Sequence, residues 1–290
     1  MMPLLAYLTC AIVWGSTYFA IALGLESFTP YGMVAARFTV GGLLALGLGF
    51  LRKEPSLRKS DLKHLILVGA LLLGCSNALV TWSEEHVSSG MAAILCAMVP
   101  VFLALFSREN LGTRTWAGLG LGLVGVGILS NPLAGHIHLG GIGALLLATM
   151  IWSFGTLHGK HHIKGAAHLK QVGVEMLTAA AMGHLIAPLS GGYLHHELTM
   201  KAALSVGYLA LFGSLLAFTA YIYLARVWSP AKMGTYTYIN PVVALLLGGL
   251  FLHEPFGARM VLGMVVILAG VALVPMKPAS SSTEMEEKRA

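Results

Sequence analysis

The side chains in this sequence that could recognise or carry a ligand are few, and they lie inside long apolar runs. Two are ionisable: Arg37 and Glu175 each sit about two helical turns inside a run. Polar and aromatic groups near the middle of other runs complete the inventory. They are Trp14, Ser16 and Thr17, then Asn77, Thr81 and Trp82, then Met98, and in the second half Trp152, Ser214, Tyr221, Tyr236, Tyr238 and Asn240. An amide or hydroxyl in an apolar medium is costly unless hydrogen-bonded, so these groups should face an interior cavity. Aromatic rings supply broad apolar contact with a polar tip, and small-molecule pockets combine apolar walls with a few polar groups. Each also has a plainer reading. Trp82, Trp116 and Trp228 fall near run ends, where rings form interfacial belts, and Ser, Thr and Asn in spans often bond neighbouring helices. Arg37 and Glu175, toward opposite ends, would each anchor a local hydrogen-bond network holding a gate or helix end. The inventory suits binding, not catalysis: HExxH, GxSxG and aspartates paired at helical spacing are all missing from the sequence.

The elements that must position these groups follow from composition. Of 290 residues, 57% are hydrophobic and 10% charged, against about 25% charged in soluble domains. The charges cluster in short breaks between apolar runs of about 18–24 residues, the length that crosses a bilayer as a helix. The runs are apolar all round, which a water-facing helix is not. Spans are expected near 3–23, 30–51, 64–82, 88–107, 113–130, 139–158, 170–190, 202–226, 232–252 and 257–275. The first run lacks a basic leader and a small-residue cleavage site, so it reads as a retained span. Fifteen Lys and Arg fall in one set of loops, while Lys201 and Arg259 fall in the other. By the positive-inside rule both termini are cytoplasmic, consistent with an even number of spans. The net charge of +6 is thereby explained by topology, and nucleic acid is not an expected partner. Residues 277–290, small, polar and charged, read as a disordered cytoplasmic tail.

The two halves resemble each other. An offset of 138 places Trp14 on Trp152 and Arg37 on Glu175, and an offset of 145 places Glu109-Asn-Leu-Gly on Glu254-Pro-Phe-Gly, Gly118 on Gly263 and Gly125 on Gly270. Pro100 and Pro241 correspond at a slightly shorter offset. Five spans per half is odd, so the second half must be inverted, an architecture recurrent in transporters. The expected fold is an all-α membrane protein of ten transmembrane helices as two inverted five-helix repeats, residues 1–135 and 136–276.

Other motifs read structurally. Gly118, Gly122 and Gly125 with Gly263 and Gly270 permit close helix approach. No strand precedes them, so they form no phosphate loop. Pro100 and Pro241 should bend the fourth and ninth spans, freeing carbonyls. Glu109 and Glu254 should cap or pair at helix ends. Cys10, Cys75 and Cys96 lie in apolar runs without CxxC spacing, implying no disulfide framework. His158, His161, His162 and His168 form a loop cluster without a well-ordered partner set, so no metal and no cofactor are expected. His184 lies within a span and could carry protons, with a local hydrogen bond as its plainer reading.

Together, WGSTYFAI from Trp14, TPYGMVAARFTVGGLLALGL around Arg37, Pro100 through Arg-Glu109-Asn-Leu-Gly, and Asn240-Pro241 through His-Glu254-Pro resemble EamA-type proteins of the drug/metabolite transporter superfamily. The resemblance covers nearly the whole chain, although the Pro100-to-Glu109 interval is short for the first repeat. It implies ten spans, inverted repeats and metabolite export, and within the family the chain is most similar to bacterial YddG-type amino-acid exporters. A single intramembrane cation disfavours phosphorylated substrates, since each buried anion needs its own counter-charge. A neutral or zwitterionic substrate, such as an amino acid, fits better. Export of drugs or other neutral metabolites and a non-saturable channel are the rival readings, and facilitated movement is expected over proton coupling through Glu175 or His184.

Overall fold

The computed structural model describes residues 2–87, 89–107, 112–130, 138–251 and 257–274. Glu109, Glu254 and the tail lie outside the described residues. The described chain is helical: α1 (Met2–Gly24), α2 (Pro30–Leu51), α3 (Lys59–Glu84), α4 (Ser89–Cys96), α5 (Val99–Ser107), α6 (Thr113–Ser130), α7 (Leu139–His162), α8 (His168–Ile186), α9 (Met200–Val227), α10 (Pro230–Gly234), α11 (Tyr236–Phe251) and α12 (Ala258–Leu273). Among the described residues, six helices are long and apolar enough to cross a membrane: α1, α2, α3, α7, α9, and α8 continued to Leu189.

Local chemistry sets several starts. Thr29 caps α2 by accepting from the Gly32 N–H, with Pro30 at the first helical position, where its missing N–H leaves nothing unsatisfied. Thr199 caps α9 through the Ala202 N–H, and His138 caps α7 through the Gly141 N–H. Packing uses glycine as the sequence suggests. A Cβ on Gly118 would lie 2.7 Å from the Gly270 carbonyl oxygen, and one on Gly125 2.9 Å from that of Gly263. Only hydrogen fits there, and α6 and α12 meet backbone to backbone. α2 packs along α8, while α1 packs against α9 and α11.

The described breaks around Arg58, Lys164 and Trp228 gather at one end of the bundle. There the Asp61 carboxylate accepts from the Lys164 and Gly165 N–H groups, Glu54 accepts from the Leu169 and Lys170 N–H groups, and Lys160 Nζ donates to the Trp228 carbonyl. The opposite end holds Lys201 paired with Glu26 at 2.5 Å and His195 beside Glu85 at 2.9 Å.

Both expected segments are interrupted. The fourth run has a turn at Ala97 and Met98, and the ninth at Thr235. Each break precedes the proline, and the first falls just before Pro100, where a proline disfavours continued helix. Pro100 is the second residue of α5, a position that tolerates it, and Pro241 lies inside the unbroken α11. Hydroxyls make the second break tenable: Thr235 donates to the Lys232 carbonyl at 2.8 Å and Thr237 to that of Gly234 at 2.9 Å. The two broken segments also touch, since a Cβ on Gly234 would stand 2.8 Å from Pro100 Cα. A further paired feature is that α3 and α9 each contain a π-helical segment, Gly69–Ser76 and Leu209–Leu216, with glycine inside each (Gly74 and Gly213).

Candidate functional site

Between α1, α2, α3, α4, α5, α7, α9 and α11 lies a cavity of about 90 Å³. Of the residues singled out from sequence, Trp14, Thr17, Arg37, Asn77, Trp152, Ser214, Tyr236 and Asn240 line it. Tyr18, Phe38, Ser76, Thr149, Phe218 and Thr237 line it too, and the sequence reading passed over them.

Arg37 is the charged side chain of this lining and is 4% exposed. Its Nε donates to Ser214 Oγ at 3.2 Å, and the guanidinium lies over the Phe38 ring, 4.7 Å from the centroid. Gly213 lets Thr17 pack close beside it, since a Cβ there would stand 2.8 Å from Thr17 Cγ2. Glu84 is the acid missed from sequence, because it stands at a run end and looks like a loop residue. Both its carboxylate oxygens are buried without a hydrogen-bond partner among the described residues. It lies within electrostatic reach of Arg37, Tyr18 and Cys96, yet makes no ion pair within 4.0 Å there. A buried carboxylate with no partner is an unusual expense. This one stands near a cavity wall that also carries a cation.

The basic end of the cavity is closed by rings. Trp14 meets Trp152 edge-on at 5.5 Å, Tyr221 at 5.2 Å and Tyr236 at 5.1 Å between centroids. Their polar tips are satisfied: Trp14 Nε1 donates to the Gly213 carbonyl at 2.8 Å, and Trp152 Nε1 to Tyr221 Oη at 2.8 Å. Tyr221 also hydrogen-bonds Thr156. Below this aromatic septum is a second cavity of about 360 Å³, lined by Thr156, Lys160, Lys164, Gln171, Tyr221 and Arg226 among others. Closer still to that end, Tyr7 bonds Thr235 at 3.0 Å and packs on Trp228.

The remaining candidates sit elsewhere. Tyr221 belongs to the septum and the second cavity. Ser16 bonds Tyr208 at 2.6 Å, Thr81 donates back to the Asn77 carbonyl, and Met98 occupies the turn between α4 and α5. Trp82 packs on His86 and His138 near the opposite end, and Tyr238 of α11 is buried against α6, donating to the Leu119 carbonyl at 3.1 Å. The hydroxyls of Ser16, Thr81 and Tyr238 find partners of their own, which spacing along one run does not reveal. Glu175 also lies off the first cavity. Fully buried, it accepts from Gln171 Nε2 at 3.0 Å, and Gln171 Oε1 accepts from Arg226 at 2.5 Å. Arg37 and Glu175, equivalent by sequence offset, thus keep separate partners. His184 bonds Thr39 at 3.0 Å and Tyr193 at 3.1 Å, the plainer of its two readings.

With this geometry in view, comparison with known proteins is direct. The chain matches the EamA-like transporter family over residues 1–131 and again over 139–276. It is 38% identical over 273 residues, 91% of this chain and 88% of the relative, to the uncharacterized inner membrane transporter YedA of Escherichia coli K12. A probable terminal-alkyne amino-acid exporter of Streptantibioticus cattleyicolor is 28% identical over 280 residues, covering 93% of this chain and 92% of that one. A solved crystal structure covers 99% of this chain and 98% of its own with a TM-score of 0.78, at 19% identity. The protein belongs to the EamA family of the drug/metabolite transporter superfamily, a family of multi-pass membrane transporters.

Proposed function

We propose that the chain is an inner-membrane exporter of small neutral or zwitterionic metabolites, above all amino acids including aromatic ones, working by alternating access through the central cavity. In this reading ten spans form two inverted five-helix repeats with both termini cytoplasmic, and the broken segments α4–α5 and α10–α11 each make one span. The observation that carries the substrate is Arg37, a buried cation on a largely apolar and aromatic wall. A carboxylate there would gain a charge-assisted hydrogen bond, the neighbouring Glu84 suits an ammonium group, and the rings of Trp14, Trp152 and Tyr236 suit an organic side chain. One cation is too few for a phosphorylated ligand. The closed septum below the cavity, with a second cavity beyond it, supports alternating access, in which one barrier is shut at a time. The inner-membrane assignment is supported by the likeness to YedA, and the amino-acid assignment by the likeness to the exporter from Streptantibioticus.

A second reading, export of drugs or other neutral metabolites, is favoured by Ile21, Phe38, Leu73 and Val80 in the same lining. Uptake of labelled amino acids into proteoliposomes, with and without an imposed pH gradient, separates the two. Saturable uptake of neutral, aromatic amino acids is the expected result, unaffected by the gradient. Uptake of uncharged drugs with none of amino acids would transfer the assignment to the second reading, and non-saturable flux would make the protein a channel.

A further inference from the structure

We propose that His64, His158 and His162 form a binding site for a transition-metal dication of the Zn²⁺ class, bridging α3 to α7 at the basic end of the bundle. His158 and His162 are four residues apart on α7, so their rings share one helix face, and they stack with centroids 4.2 Å apart. His64 comes from α3, and its Nδ1 lies 2.9 Å from His158 Nε2. One ligand atom from each of the three lies within 4.8 Å of the others. The sequence reading found no ordered partner for the HGKHH cluster; the fold supplies it from 94 residues away.

The donor chemistry narrows the ion. Imidazole nitrogens without a carboxylate suit Zn²⁺, Cu²⁺ or Ni²⁺, whereas Mg²⁺ and Ca²⁺ require oxygen. Zn–N bonds of about 2.0–2.1 Å at tetrahedral angles set ligand nitrogens about 3.3 Å apart. The His64–His158 pair, at 2.9 Å, therefore needs to open by only a few tenths of an ångström once the shared proton is displaced. His162 is already oriented: its Nδ1 lies 2.9 Å from the His158 carbonyl oxygen. Donation there leaves Nε2 as the lone-pair atom, the arrangement by which outer partners fix a ligating histidine. Three protein ligands leave a fourth position for water. The bridge would cross a wall of the second cavity, where a Cβ on Gly159 of α7 would lie 3.3 Å from Val68 of α3.

The test is a competition titration of Zn²⁺ between a chromophoric chelator and the purified, tag-free full chain in detergent. About one ion per chain should bind, with affinity falling at least tenfold in His64→Gln and in His162→Gln alone, and Mg²⁺ should not compete. X-ray absorption of the zinc-loaded wild type should show imidazole nitrogens at about 2.0 Å. Unchanged affinity in both variants would overturn the proposal, as would a spectrum without imidazole scattering or zinc loss in His86→Gln instead. His162 is exposed, so its variant keeps the test open if His64→Gln fails to fold.

Discussion

Trp14 and Trp152, 138 positions apart, meet edge to face with 5.5 Å between centroids and 87° between ring planes. An offset of 138 aligns them in the sequence, and the fold brings them into contact. Each uses its indole N–H differently: Trp14 bonds backbone on α9, and Trp152 bonds the hydroxyl of Tyr221. The septum therefore depends on Tyr221 on both sides of its hydroxyl.

Tyr221→Phe should expose that dependence. It removes the acceptor of the Trp152 N–H, leaving that donor unpaired at about 1–3 kcal/mol, while Thr156 keeps its bond to the Trp152 carbonyl. The expected outcome is a melting temperature several degrees lower in detergent, with unchanged expression; an unaltered melt would show that the hydroxyl adds nothing to the septum.

Arg37→Lys keeps the charge and loses the planar fork that reaches Ser214. Transport should fall at least tenfold while folded protein is retained. Full activity, measured as initial uptake in proteoliposomes, would mean that a point charge suffices.

Glu84→Gln conserves shape and removes the acid. If Glu84 receives a substrate ammonium group, uptake of an amino acid should fall about tenfold or more, the worth of a lost charge-assisted bond. Uptake of the analogue lacking the amino group should stay the same. Equal losses for both would assign Glu84 to folding.

Asn77→Leu carries two effects. Asn77 lines the cavity and its Nδ2 donates to the Leu72 carbonyl at 3.2 Å, inside the π segment. Transport should be abolished and stability should drop by about 1 kcal/mol, read as uptake and thermal melt on one preparation. Wild-type uptake would remove Asn77 from the binding wall.

Gly118→Ala should destabilise by about 1–3 kcal/mol through overpacking, because the new methyl would stand 2.7 Å from the Gly270 carbonyl oxygen. Gly120→Ala, with nothing within 4 Å of its Cβ, is the matched control and should melt like the wild type.

The membrane class and the correspondence of Trp14 with Trp152 were legible because composition and a repeated offset are properties of the chain read end to end, whereas the contact between the two rings was not. Arg37 stood out as the lone basic residue inside an apolar run, and the structure puts it in a cavity wall. What spacing could not tell was which way each polar group turns. Ser16, Thr81 and Tyr238 satisfy themselves on other helices or on their own backbone, choices fixed by packing between distant segments. Glu84 was hidden by its place beside Glu85 at a run end. His64 was hidden because its partner His158 lies 94 residues away, and the exact break positions, Met98 and Thr235, because a proline marks a weakened stretch and not the residue at which it opens.

The π segments of α3 and α9 close their hydrogen bonds one residue later than an α-helix does, so each accommodates an extra residue. Moving that extra residue along the helix would swing each side chain it passes by about 100° and shift it about 1.5 Å along the axis. In α3 the residues that follow include Asn77 and Val80, and in α9 Phe218, all on the cavity wall. The wall could thus exchange the groups it presents by a screw motion inside two intact helices, without any loop acting as a hinge.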